Sequence, residues 1–97
     1  MYLKIHRSPD GDQVVAVCDH ELLNTRVRRG ELEICISEGF YGNRLSDADE
    51  VRSVLKMAGN VNLMGERVVA LAVDMGLIER SNCFMFGTVP HAQVFRL

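Results

Sequence analysis

Hydrophobic and polar positions alternate at the start of the chain with the period of two that is typical of β-strands. In Tyr2–Arg7, the side chains of Leu3 and Ile5 would share one face. Gln13–Cys18 is a nearly continuous run of apolar, mostly β-branched residues, which favours a strand covered on both faces. Because turn-forming residues fill positions 8–12, the two segments predict a β-hairpin.

Positions 31–37 alternate most clearly and predict another strand. Their apolar side chains, which we expect to face inward, are Leu32, Ile34 and Ile36. Between this strand and the hairpin, positions 19–23 predict a short helical turn.

The hydrophobic period changes to that of an α-helix after position 45. Ser46 is a suitable N-cap, and the acidic residues that follow it would lie at the positive end of the helix dipole. The apolar stripe of this helix ends before Gly59 and consists of Val51, Val54, Leu55 and Ala58.

A second helix is predicted over positions 62–75, with Asn62 as its N-cap and Gly76 as a left-handed C-cap. It is apolar on nearly all sides, so it is either sandwiched within the fold or in contact with another subunit. Its first turn would offer free N–H groups to an anion. The alternative is a capped helix whose Glu66 and Arg67 form internal ion pairs.

The last two strands are predicted at positions 83–86 and 92–97. The helices are clustered rather than alternating with the strands, which predicts an α+β fold. We expect a two-layer sandwich, in which a mostly antiparallel sheet of about five strands carries two helices on one face. Residues 1–97 form a single domain of ordinary size.

Composition limits the partners and the compartment. The net charge is −2, so strong nonspecific binding to nucleic acid is not expected, because such binding depends on cations that neutralise phosphates. No apolar run is long enough to cross a membrane. Three widely spaced cysteines in apolar surroundings, Cys18, Cys35 and Cys83, predict buried, reduced thiols and a cytoplasmic protein.

No catalytic triad, phosphate-binding loop or dinucleotide-binding motif is present. His6, His20 and His91 are not spaced with cysteines or carboxylates as metal ligands are. The sequence therefore predicts no metal and no cofactor, and it favours a protein that is not an enzyme.

The segment from Val89 to Gln93 carries the most distinctive chemistry. If it is extended, His91 and Gln93 lie on one face with Phe95 and Leu97, about 6.5–7 Å apart along the strand. Neutral His91 could bond a backbone carbonyl at the strand's start, or it could serve as a binding or acid–base group. Pro90 suits a strand start or an edge, and its peptide bond could be cis or trans.

Two further groups have both a structural and a functional interpretation. Phe40 and Tyr41, between two glycines, could anchor a turn or stack on a base. Arg26, Arg28 and Arg29 could form a solvated loop face or contact RNA or an acidic partner.

Three stretches, 39–42, 62–67 and 89–93, together with 3–7 and 16–19, carry a resemblance to a known family. The chain resembles the archaeal family called domain of unknown function 424. The resemblance implies an archaeal cytoplasmic protein with a two-layer α/β sandwich and a place in the information-processing machinery. It implies no activity, substrate or cofactor.

Three hypotheses follow. The first is a non-enzymatic binding module for a protein or RNA component of the translation or RNA-processing machinery. The second is a small enzyme or metabolite-binding protein that uses Glu66 and His91 in a cleft. The third is a structural homodimer without a ligand site. The predicted binding residues are Tyr41, Asn62, Glu66, Arg67, His91 and Gln93.

Overall fold

The computed structural model describes residues 1–96. Its strands are β1 (Tyr2–Arg7), β2 (Gln13–Cys18), β3 (Arg26–Arg29), β4 (Leu32–Cys35), β5 (Asn60–Met64), β6 (Phe84–Phe86) and β7 (Val89–Phe95). Its helices are α1 (Glu38–Tyr41), α2 (Ala48–Met57) and α3 (Glu66–Asp74), and short 3-10 turns cover His20–Leu22 and Arg80–Asn82.

Five of the strands form one sheet in the order β1-β2-β5-β7-β6. The predicted hairpin of β1 and β2 is confirmed by their antiparallel register. The pair of β2 and β5 is parallel, whereas β5–β7 and β6–β7 are antiparallel. The sheet is therefore mostly antiparallel, with one long crossover between β2 and β5.

Helices α2 and α3 pack on one face of this sheet, as predicted. Alternate residues of the central strands, such as Val17, Leu63 and Ala92, form a core cluster with Leu55 of α2 and Val69 of α3. The α+β class, the five-stranded sheet and the two helices on one face are confirmed.

The opposite face of the sheet is also partly covered. The hairpin of β3 and β4 and the short helix α1 lie there, over a second cluster that contains Val27, Ile36, Tyr41, Met64 and Phe86. Strand β2 is therefore buried on both sides, which explains its nearly continuous apolar sequence.

The predicted helix over positions 62–75 is wrong in its first part. Positions 60–64 form β5, with Val61 and Leu63 facing the helices, and α3 begins only at Glu66. A short apolar run does not distinguish a buried strand from a buried helix. Positions 60–64 are extended because they pair with β2 and β7. Gly65, at a φ of 120°, connects this strand to α3.

Helix α3 needs no second subunit to cover its apolar sides. Val68, Val69, Leu71 and Ala72 are all buried within the monomer. Of the two alternatives, the helix sandwiched within the fold is the one observed, and the homodimer stays a prediction.

The segment 26–29, interpreted as a solvated loop, is strand β3. It pairs with β4 as a separate two-stranded sheet. This hairpin covers the main sheet only in part. Ile36, which directly follows the hairpin, is buried as predicted. Leu32, also predicted to face inward, is 56% exposed.

Of the predicted helix caps, Gly76 is confirmed, whereas Ser46 and Asn62 are wrong. The N-cap of α2 is Asp47, whose carboxylate accepts a hydrogen bond from the Glu50 N–H at 2.8 Å, and Ser46 is instead buried before the helix. Gly76 is the predicted left-handed C-cap, at a φ of 76°. It closes a Schellman motif, in which the Leu77 N–H donates to the Ala72 carbonyl at 3.0 Å.

Strand β7 begins at Val89 rather than at position 92, and the Val89–Pro90 bond is trans. Pro90 lies in an interior strand, not at an edge. Its carbonyl accepts the Gly65 N–H at 2.9 Å. In an antiparallel strand, the N–H and C=O groups of one residue point toward the same neighbouring strand. Pro90 turns this side toward the end of β5, so its lack of an N–H removes no hydrogen bond to β6. Leu97, predicted on the face of Phe95, lies outside the described residues.

Candidate binding cleft beside the central strands

Strands β5 and β7 are central, yet the face they turn away from α2 and α3 carries polar side chains. Three successive cross-strand pairs lie on it: Asn60 with Phe95, Asn62 with Gln93, and Met64 with His91. An interior strand pair is the part of a sheet where apolar residues are expected if another layer covers it. Amide and imidazole groups occupy four of these six positions.

A cleft of about 200 Å³ opens where this face meets the second layer. It lies between β4, α1 and the sheet, and its walls are Ile34, Cys35, Ile36, Phe40, Tyr41, Asn62, Met64 and His91. None of these described lining residues is Asp, Glu, Lys or Arg. The cleft is therefore uncharged, and its polar groups act through hydrogen bonds.

A hydrogen bond between Tyr41 and Asn62 fixes one side of the cleft. The Tyr41 hydroxyl donates to Asn62 Oδ1 at 2.6 Å, and Tyr41 is only 4% exposed. Burial raises the pKa of the Tyr41 hydroxyl, so it remains a proton donor. Because Oδ1 accepts this bond, the amide of Asn62 is oriented and its Nδ2 group keeps two N–H donors.

His91 supplies an acceptor on the same cleft. Its Nδ1 lies 2.8 Å from the Leu63 carbonyl oxygen, which can only accept, so Nδ1 carries the proton. Burial lowers the pKa of His91, so the ring is neutral near pH 7. Nε2 then holds an unprotonated lone pair on the other side of the ring. The backbone bond is the structural role considered for His91, and it leaves this second nitrogen available.

Gln93 and Phe95 continue the polar face outside the cleft. Gln93 is exposed and lies directly opposite Asn62 in the register. Phe95 is 72% exposed and lies opposite Asn60. A ligand that enters the cleft would therefore extend onto an amide and an aromatic ring.

Glu66 and Arg67, the two charged residues predicted for the site, bind elsewhere. Glu66 accepts two hydrogen bonds from Arg80, at 2.9 and 2.6 Å, and Arg67 donates to Glu21 at 2.7 Å. Both residues therefore form ion pairs within the chain, as the structural interpretation expects, and both pairs are exposed. The structure therefore unites Tyr41, Asn62, His91 and Gln93, while among residues 1–96 neither Glu66 nor Arg67 lines the cleft.

Asp19 is an important residue that the sequence did not reveal. It is 2% exposed, and its carboxylate accepts the N–H groups of Arg67 at 2.8 Å and Val68 at 3.0 Å. It thus caps α3 from the end of β2. The predicted anion site at Asn62 is wrong, because Asn62 is in a strand and Asp19 already occupies the helix N-terminus. The available sequence signal was an Asp directly after a buried strand.

Gly65 makes this long-range cap possible. A Cβ at this position would collide with the Asp19 carboxyl group, and the φ of 120° is unfavourable for any L side chain. Burial raises the pKa of Asp19, and this effect outweighs the two backbone N–H groups, which lower it. The carboxylate and the glycine are therefore coupled parts of one structural junction.

The cysteines are free thiols in different surroundings. Cys18 is buried as predicted, and burial raises its pKa to about 12. Cys35, predicted to be buried, is exposed; it lines the cleft and lies opposite Arg26 in the β3–β4 register. Within residues 1–96, no group of three or more His, Cys, Asp or Glu side chains is arranged to hold a metal. No helix in this range is long and apolar enough to cross a membrane.

Fold and site together define a small α+β protein with an uncharged cleft beside its central strands. The chain belongs to the family described as "Protein of unknown function (DUF424)", which matches residues 6–97. It is similar to an uncharacterized conserved protein from Methanopyrus kandleri, known from a crystal structure. The identity is 28% and the TM-score 0.77, over 99% of this chain and 93% of that chain. A comparison with curated proteins found no match. The resemblance inferred from the sequence is confirmed.

Proposed function

We propose that the protein is a non-enzymatic binding module for an RNA or protein component of the translation or RNA-processing machinery. The observation that carries the proposal is the polar face of two interior strands at the Tyr41–Asn62–His91 cleft. Asn62 and His91 each use one polar atom within the protein, and a bound partner would satisfy the Nδ2 donors and the Nε2 acceptor that remain.

The chemistry of the cleft favours binding over catalysis. The alternative, a small enzyme that uses Glu66 and His91 as acid and base, needs both groups within reach of one substrate. His91 is held by a backbone carbonyl, and the carboxylate of Glu66 is engaged by Arg80. No carboxylate is present among the described lining residues to act with His91.

The size of the cleft limits what it can hold. At about 200 Å³ it is smaller than the roughly 300–1,000 Å³ that is usual for a drug-sized ligand. It would take one ring or side chain of a larger partner, and the rest of that partner would lie on Gln93 and Phe95. This arrangement supports a macromolecular partner rather than a complete metabolite.

Photocrosslinking in an archaeal cell extract tests this proposal. A benzophenone amino acid replaces Gln93, which is exposed beside the cleft. We expect crosslinks to a component of the ribosomal or RNA-processing fractions, and we expect His91→Ala to remove them. Arg52→Ala is the matched control, because Arg52 lies on α2 across the sheet and forms only an exposed ion pair with Asp74.

Treatment of the captured material with ribonuclease or protease identifies the class of partner. An identical set of crosslinked species from the His91→Ala variant and the parent protein would contradict the proposal.

A further inference from the structure

We infer that the cleft binds a single unpaired nucleobase, held edge-on by Asn62 and His91. This inference rests on the proposed binding function and specifies the ligand of the same site. The nucleobase could belong to a single-stranded RNA or to a free nucleoside, which present the same hydrogen-bonding edges.

The hydrogen-bonding groups of the cleft decide which occupants are excluded. An apolar side chain would bury the Nδ2 donors of Asn62 and the Nε2 acceptor of His91 without partners, which costs free energy. An anion would meet the Nε2 lone pair, and a cation would find no carboxylate among the described lining residues. The occupant must therefore be neutral and must carry an acceptor beside a donor.

Nucleobases meet both requirements. Every base presents acceptors and N–H donors next to each other on one edge of a flat ring. The remaining walls, which include Ile34, Ile36 and Phe40, are apolar and suit the faces of such a ring. The side-chain amide of an Asn or Gln also carries a donor and an acceptor, but it has no ring to fill the space between these walls.

The surface outside the cleft provides for a neighbouring base. Phe95 is exposed on the same face as Asn62 and His91, and successive side chains on one face of a strand are about 6.5–7 Å apart. Aromatic rings at such positions stack on bases of single strands. Gln93, between Phe95 and His91, adds donor and acceptor groups. We therefore expect an oligonucleotide to bind more tightly than a nucleoside.

The charges near the cleft are few. Arg26 lies opposite Cys35, but Arg26 and Arg28 both donate to Glu33, at 3.1 and 2.6 Å. The two Arg side chains and the one Glu side chain leave a net charge of about +1 on this face of the hairpin. Binding should therefore depend weakly on salt, with a log–log slope close to −1 rather than the steep slope of a protein that contacts many phosphates.

NMR titration of the ¹⁵N-labelled full chain tests the inference. The probes are adenosine, cytidine and uridine, and the hexanucleotides rA6, rC6 and rU6. We expect at least one hexanucleotide to shift the Asn62 side-chain amide and the His91 imidazole signals. We expect the corresponding nucleoside to shift the same signals with at least tenfold weaker affinity.

Variants separate the cleft from the neighbouring surface. His91→Ala and Asn62→Ala should weaken both kinds of probe at least tenfold. Phe95→Ala should weaken the hexanucleotide and leave the nucleoside unchanged, and Arg52→Ala should change neither. Because Asn62→Ala also removes the partner of Tyr41, the exposed Phe95→Ala variant keeps the test valid if Asn62→Ala fails to fold.

Two results would overturn the inference. One is the absence of shifts at the cleft with all six probes at millimolar concentration. The other is binding that His91→Ala and Phe95→Ala leave unchanged. If the species crosslinked at position 93 are proteins and their capture depends on His91, the proposed binding function stands and the nucleobase as ligand is wrong. If the hexanucleotides bind in the cleft but no cellular partner is crosslinked, the nucleobase stands and the proposed partner is wrong.

Discussion

At the residue scale, two side chains define the chemistry of this protein, the buried Asp19 and the partly buried His91. Each is held by backbone groups rather than by an opposite charge: Asp19 accepts two N–H groups, and His91 donates to a carbonyl. Burial opposes the charged form of each residue, raising the pKa of Asp19 and lowering that of His91. One residue joins two elements, and the other presents a neutral acceptor to the cleft.

Asp19 makes the stability dependent on pH. Since the fold raises its pKa above the ordinary value of 3.8, the folded protein holds this proton more tightly than the unfolded chain does. The resulting stabilisation is present below that value and is lost as the pH rises through the pKa of the folded state. Asp19→Asn removes this term, so the difference in unfolding free energy, wild type minus variant, should fall as the pH rises above 3.8. Urea unfolding at several pH values measures it, and a flat or rising difference would contradict the prediction.

Gly65→Ala should destabilise the protein by about 2–4 kcal/mol, because the new methyl group meets the Asp19 carboxyl and the φ of 120° is strained. Gly39→Ala is the control, since its added Cβ has only ordinary contact distances. The loss should be smaller in an Asp19→Ala background, where the collision is absent. Equal losses in the two backgrounds, measured by urea unfolding, would show that only backbone strain is involved.

At the element scale, the sequence predicted the strands that show clear alternation or a turn signal and missed those that show neither. The β1–β2 hairpin was identified because a short turn joins two matching patterns. Strand β5 was mistaken for the first turns of a helix, because its five residues run into α3 and its neighbours β2 and β7 are far away in sequence. Strand β3 was not predicted, because three of its four residues are Arg and only Val27 is buried.

The positions of the candidate site residues were predicted to a similar extent. The alternation of β7 correctly placed His91 and Gln93 on one face, and the sheet brought Asn62 and Tyr41 to them. Glu66 and Arg67 were grouped with these residues because they follow Asn62 in the chain. A change from strand to helix at Gly65 directs them elsewhere, and periodicity could not locate that change.

Helix α1 is joined to β5 by the hydrogen bond from Tyr41 to Asn62. Tyr41→Phe should therefore lower the unfolding free energy by about 1–2 kcal/mol, because the partly buried Asn62 oxygen loses its partner. Tyr2→Phe is the matched control, since the Tyr2 hydroxyl forms no hydrogen bond within the described part of the chain. Equal changes in urea midpoint for the two variants would contradict a specific role for this bond.

At the scale of the whole molecule, two hydrophobic clusters lie on opposite faces of one sheet. The layer made by α1 and the β3–β4 hairpin is thin, but it shares strands β2 and β5 with the larger cluster. We therefore expect both faces to unfold together, as is usual for a domain of this size.

Ile36→Ala tests this cooperativity. Ile36 is fully buried in the second cluster, so the substitution should cost about 2–5 kcal/mol. The chain has no Trp, and its two tyrosines, Tyr41 and Tyr2, belong to or pack against the second cluster. Tyrosine fluorescence therefore reports on that cluster, and far-ultraviolet circular dichroism reports on the whole fold. Both transitions should shift by the same amount. Separate midpoints would mean that the second layer opens independently.

The two hydrogen bonds between Asp19 and α3 should form late in folding. They join residues that are 48 and 49 positions apart, at the end of a parallel strand pair that no local turn can form. Hairpins close within microseconds, whereas pairing β2 with β5 requires closure of a long loop first. The local hairpins should therefore form early, and the cap should form late, after β2 and β5 have aligned. A bond made late slows unfolding more than it speeds folding, so Asp19 would chiefly prolong the lifetime of the native state.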